Sequence, residues 1–210
     1  MSHDTSIDLG DPLAVSSRVA DLAERASAYA PDLAWHGERV ADLAAHVARR
    51  LGLRGADLLR LRWAALLHDV GKTTWPLELW TKPGDLTAHE RLFVNLHVQA
   101  SERLVVEHGL TDLAPGVRHH HERWDGGGYP DKLGGAAIPF AARVIAVADV
   151  YDVLCHGRPY RRALDERAAL AELRRCAGTQ FDPRCVDALV ETVTGGARRH
   201  LAAPTLLPVT

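Results

Sequence analysis

Cysteine is scarce in this chain of 210 residues, neither sign of charge predominates, and no apolar run is long enough to cross a bilayer. The three cysteines, Cys155, Cys176 and Cys185, have no CxxC spacing and leave an odd count. Neither a disulfide framework nor a thiolate zinc site is expected, and the thiols read as small hydrophobes. With 25 basic and 27 acidic side chains, the net charge of −2 gives no long-range attraction to a nucleic acid polymer or an anionic membrane. Any phosphate binding must be local. A membrane helix needs about 18 apolar residues, and a signal peptide needs a basic start before an apolar run. The opening MSHDTSIDLG offers neither. The expected location is therefore the cytoplasm, with no membrane partner.

The chain is rich in alanine, leucine, arginine and glutamate, with apolar residues at helical spacing, as in Val40, Leu43, Ala44, Val47 and Leu51. The reading is all-α, a single-domain helical bundle, in a chain long enough for one buried core. Helices are expected over 13–29, 32–51, 55–69, 87–108, 112–123, 139–155, 165–177 and 183–193. Pro31 suits a first helical position, Thr87 with Glu90 forms a capping-box pattern, and Asp182-Pro183 offers an N-cap followed by proline. Two non-helical segments stand out: 73–86, with two prolines, and the glycine-rich 124–137. The expected organisation is an N-terminal helical extension over 1–30, a catalytic domain over 31–196 and a tail over 197–210. About 30 leading residues cannot form a sensory domain, so they are expected to make one helix for docking a signalling partner or a second copy.

Twelve histidines are many for this length, and several lie beside acids in apolar helices. His68-Asp69 follows the run Trp63, Ala64, Ala65, Leu66, Leu67, which carries both into the interior. A buried carboxylate costs several kcal/mol unless a cation offsets it. Taken alone, the pair fits equally well as the cap of a helix ending at Gly71. Asp32 and His36, four apart, share one helical face, although Asp32 also suits the helix dipole. His97 and the run His119-His120-His121 sit in or at the end of further helices. Asp149 stands in the apolar stretch Val144, Ile145, Ala146, Val147, where an unpaired carboxylate is costly. His46, His89, His108 and His200 read as surface residues. Imidazole with carboxylate, without thiolate, suits iron or manganese, and so many ligands imply at least two ions. Such a pair suits phosphodiester cleavage by a bridging hydroxide.

These segments resemble the HD superfamily, which is built on a histidine, then His-Asp, then a distant aspartate, as in His36, His68-Asp69 and Asp149. They resemble its HD-GYP branch in particular: 68–72 (HDVGK), 82–90 (KPGDLTAHE), 120–130 (HHERWDGGGYP), 138–143 (IPFAAR), 148–152 (ADVYD), 158–161 (RPYR) and 181–183 (FDP). The resemblance covers residues 32–194. It implies a cyclic di-GMP phosphodiesterase that makes linear pGpG, and in some members GMP, at two or three divalent ions, iron or manganese. The implied metal ligands are His36, His68, Asp69, His97, His120, His121 and Asp149, with Asp69 as the bridge. Asp32 stands where relatives with a third ion often have glutamate. Lys72 matches a lysine contacting the scissile phosphate, while Arg158 and Arg161 resemble a basic pair gripping the dinucleotide. Tyr129 suits stacking on a base and suits loop packing equally well. Glu122 and Asp125 are expected to orient histidines.

Some positions depart from the family pattern. His97-Val98 and Ser101 replace a proline and a glycine common in relatives, and Cys155-His156-Gly157 replaces a small polar stretch. Two further readings stand beside the first. One is a phosphohydrolase for another cyclic dinucleotide or a mononucleotide, and the other is a catalytically weak module that binds the dinucleotide for signalling.

Overall fold

A computed structural model of the chain describes residues 12–80, 82, 87–156 and 163–195. The helices are α1 (Pro12–Tyr29), α2 (Pro31–Arg50), α3 (Gly55–Leu67), α4 (Leu77–Trp80), α5 (Ala88–Asn95), α6 (His97–Glu107), α7 (Ala114–Arg118), α8 (Phe140–His156), α9 (Glu166–Arg175) and α10 (Pro183–Thr194). Short 3-10 turns cover Val70–Thr74, Thr111–Leu113 and Gly135–Ala137. Among the described residues no strand forms, and one bridge joins Ala177 to Phe181. The fold is the expected all-α bundle. The tail over 197–210, Arg158 and Arg161 lie outside the described residues.

Local chemistry sets the helix ends. Pro31 opens α2, Asp32 lies in its first turn and Arg49 and Arg50 in its last, each favourable to the helix dipole. Thr87 and Glu90 form the expected capping box at α5. Asp182 accepts a hydrogen bond from the Arg184 amide at 2.9 Å as α10 begins. Helix α2 packs on α1, α3, α8 and α10, so it lies at the centre of the bundle. Leu22, Leu67, Ile145, Leu173 and Leu189 are fully buried in one core shared by α1, α3, α8, α9 and α10. Each such side chain contributes about 1.5–3 kcal/mol.

Three expected helices differ, and each difference falls at a histidine. The span 87–108 divides at Leu96 (ψ −9°), so His97 starts α6 instead of lying mid-helix. At this break the Val94 carbonyl takes a backbone amide of the helix cap and also accepts the His97 Nδ1–H at 2.8 Å. Helix α3 stops at Leu67, so His68 and Asp69 form the turn into Val70–Thr74. The span 112–123 shortens to a 3-10 turn and α7, which ends at Arg118; farther on, the amides of Trp124 and Asp125 bond to the carbonyls of Gln180 and Thr179 at 3.0 and 2.8 Å.

Candidate metal centre

Helix ends supply most of the site. His68, His97 and His120 sit just beyond α3, α5 and α7, where the last carbonyls lack helical partners. Each ring returns to a carbonyl three residues earlier: His68 Nδ1 to Ala65 at 2.7 Å, His97 Nδ1 to Val94 at 2.8 Å and His120 Nδ1 to Val117 at 2.6 Å. A carbonyl only accepts, so each Nδ1 carries hydrogen and each Nε2 turns inward. Backbone geometry has thereby fixed three tautomers.

The inward atoms converge on Asp69, which is buried. Its Oδ1 lies 3.1 Å from His97 Nε2 and 3.9 Å from His120 Nε2, while Oδ2 lies 3.4 Å from His68 Nε2 and 3.9 Å from His36 Nε2. The two oxygens of one carboxylate thus face two groups: Asp69 with His97, His120 and His121, and Asp69 with His36 and His68. In each group the candidate ligand atoms lie within 4.8 Å of one another. Asp149 Oδ1 from α8 approaches His36 Nε2 to 3.1 Å without a hydrogen bond between them, and lies 4.0 Å from His68 Nε2.

Three buried atoms here, His36 Nε2, His68 Nε2 and Asp69 Oδ1, have no hydrogen-bond partner. Orphaned buried polar atoms are costly and native structures seldom keep them. All three are metal-ligating atom types, and all point into the same space. The donor set therefore fits divalent cations.

Burial and charge tune the groups. Burial would push the His36 imidazole down, but the carboxylates of Asp149 and Asp152 hold it up, at about 9. Burial would raise Asp69, yet the Lys72 ammonium and the His68 and His97 imidazoles hold it well below the carboxylate range. Asp149 is likewise lowered against burial by His36 and His68. His120 and His121 are pushed down by burial and by neighbouring imidazoles, His121 to about 3. Carboxylates held ionised beside the His120 and His121 imidazoles, which burial holds neutral, form a cation site.

The remaining expected residues are placed differently. Lys72 is buried with its ammonium paired to Asp69 Oδ2. Tyr129 stacks on His121, with ring centroids 5.0 Å apart and planes at 26°. Asp32 stands exposed in the first turn of α2, outside both groups. The expectation for Glu122 and Asp125 is corrected: their hydrogen bonds brace the glycine-rich loop. The Glu122 carboxylate accepts the amides of Asp131 and Leu133 at 2.7 and 3.1 Å, and Asp125 holds Arg123 and the Gly127 amide. Sequence reasoning missed Asp152, whose Oδ2 accepts from His36 Nδ1 at 2.8 Å. Its signal was a second carboxylate three residues beyond Asp149 in the same apolar helix.

Residues 17–185 match the family described as HD domain. The chain is 44% identical over 156 residues to the cyclic di-GMP phosphodiesterase response regulator RpfG of Xanthomonas campestris, covering 73% of this chain and 41% of that protein. It is 39% identical over 163 residues to the 3'3'-cGAMP-specific phosphodiesterase 3 of Vibrio cholerae, covering 77% and 35%. The chain thus spans less than half the length of either. Among solved structures, an HDG"Y"P protein from Bdellovibrio bacteriovorus shares the fold with a TM-score of 0.64 at 20% identity, over 78% of this chain and 53% of that one. Among the described residues no helix is long and apolar enough to cross a membrane.

Proposed function

The chain belongs to the HD domain family, in its HD-GYP branch, and on that premise we propose that it is a metal-dependent phosphodiesterase of cyclic dinucleotides. The observation that carries this reading is the single carboxylate of Asp69 facing two histidine groups from opposite oxygens. His36, His68, Asp69 and Asp149 would hold one ion, and Asp69, His97, His120 and His121 the other. Imidazole with carboxylate favours iron or manganese. Asp32 is the candidate ligand for a third ion. When bound, such ions supply Lewis acidity, activating water near neutral pH and neutralising charge that develops on phosphoryl oxygens.

The chain's own side chains do the rest. Lys72, already within the site, offers its ammonium to the scissile phosphate, where added negative charge strengthens the attraction. Tyr129, fixed against His121, offers an aromatic edge to a base. Arg158 and Arg161 are assigned to gripping the dinucleotide on the resemblance alone. In this reading the catalytic unit spans 31–196, and the helix before it is the surface for a second copy or a signalling partner.

We propose cyclic di-GMP as the substrate and linear pGpG as the first product, with GMP as a further one. A second cyclic dinucleotide is favoured by a specific observation: a relative at 39% identity is named for 3'3'-cGAMP. The test is a rate comparison of the manganese- or iron-loaded chain on cyclic di-GMP, 3'3'-cGAMP and mononucleotides, with products separated by chromatography. Fastest opening of cyclic di-GMP supports the reading, and a preference for 3'3'-cGAMP moves the assignment to that substrate. Binding without turnover in a folded, metal-loaded chain would leave a signalling module.

A further inference from the structure

His36 differs from the other buried histidines of the site in what holds the back of its ring. His68, His97 and His120 each give Nδ1–H to a backbone carbonyl, a neutral acceptor. His36 gives its Nδ1–H to the carboxylate of Asp152, at 2.8 Å. Asp152 is buried on α8, one turn beyond Asp149. It lies behind the imidazole, on the side away from Asp69 and Asp149, so it orients the ring without offering an oxygen to the ion.

Asp152 is itself fixed. Arg39, one turn after His36 on α2, donates Nε to Asp152 Oδ1 at 2.7 Å and a terminal nitrogen to Oδ2 at 2.8 Å. His156 Nδ1 lies 3.0 Å from the same Oδ1. This two-pronged geometry sets the carboxylate plane and so the ring plane of His36. A carboxylate behind an imidazole makes Nε2 a stronger donor than a carbonyl does, and losing such a partner typically weakens metal binding about 10–100-fold.

We propose that Asp152, pinned by Arg39, is a positioning residue that selectively strengthens the ion held by His36, so that the two ions of the centre are bound unequally. The inference rests on the two-ion reading above but not on the identity of the substrate.

The test is a manganese(II) titration of the full chain by calorimetry, comparing wild type, His36→Ala, Asp152→Asn and Arg39→Gln, with circular dichroism as the check on folding. His36→Ala identifies which ion belongs to His36. Asp152→Asn is expected to weaken that ion about 10–100-fold and to leave the other unchanged. Arg39→Gln, at a partly exposed position, is expected to weaken the same ion by a smaller factor. If Asp152→Asn does not fold, Arg39→Gln decides alone. Equal weakening of both ions, or of neither, overturns the proposal. Wild type binding fewer than two ions overturns it together with the two-ion reading. Hydrolysis plays no part in the readout, so a failure of the phosphodiesterase reading is seen separately.

Discussion

His97 Nε2 and His120 Nε2 face each other at 3.3 Å while each ring's Nδ1–H is committed to a backbone carbonyl. Burial holds His120 neutral, so its Nε2 presents an unshared pair to its neighbour. Two such pairs at this separation repel unless a cation, either a proton or a metal ion, lies between or beside them. A divalent ion should therefore stabilise the fold strongly. An ion at about 1,000 times its Kd adds about 4 kcal/mol, and in a chain of this size that moves Tm by on the order of 10 °C. Thermal melts with manganese and with chelator check this, and superimposable melts would contradict it.

Gly71 links the His68-Asp69 turn to α6. A Cβ there would stand 2.3 Å from the His97 carbonyl oxygen and 2.4 Å from the Ser101 amide, both backbone atoms that cannot rotate away. Gly71→Ala should cost about 1–3 kcal/mol by overpacking and displace His97 as well. Urea melts measure the first effect. Manganese titration should show weakened binding at the His97 group, and a folded variant with wild-type affinity would refute the link.

Ser101 ties α6 to the turn that carries His68 and Asp69. Its Oγ accepts the Gly71 amide at 2.7 Å in a fully buried setting. Ser101→Ala leaves that amide unsatisfied and should cost about 1–3 kcal/mol. Ser101→Gly frees space beside it for water and should cost less, a ranking that urea melts decide.

Glu122 braces the glycine-rich loop through the amides of Asp131 and Leu133. Glu122→Gln puts an amide donor against one of those N–H groups. The expected result is a loss of about 1.5–3 kcal/mol, the range for a hydrogen bond to a charged group, with faster amide exchange at 131 and 133. Unchanged exchange would show that the loop is held otherwise.

Glu90 gives a pH dependence remote from the metal ligands. Its hydrogen bonds to Lys82 and Thr87 lower it from 4.5 to about 2. A depressed carboxyl stabilises above its unfolded value, so the contribution is full above about pH 4.5 and is lost as pH falls through about 2. The α5 amides should exchange faster across that window, and Glu90→Gln should abolish the dependence. An NMR titration of the Glu90 carboxyl near 4.5 would contradict it.

Much of this was legible in the sequence because apolar periodicity and polar punctuation are local. Pro31, Thr87 with Glu90, and Asp182-Pro183 marked helix starts that the structure has. The grouping of His36, His68, Asp69, His97, His120, His121 and Asp149 was legible because buried acids and imidazoles need partners. The breaks at Leu96 and after Arg118 were not legible. At both, a histidine ring returns to a carbonyl three residues earlier, His97 to Val94 and His120 to Val117, and helical spacing does not record such ring-to-backbone bonds. The Arg39–Asp152 pair was hidden for a similar reason: its two members meet only when α2 packs on α8.

The most direct measurement is the metal content of the anaerobically purified chain and of Asp69→Ala, by elemental analysis alongside circular dichroism. One shared carboxylate between two histidine groups predicts two ions per chain in the wild type and loss of both in a folded Asp69→Ala. A wild type holding at most one ion, or an Asp69→Ala variant that keeps two, would contradict it.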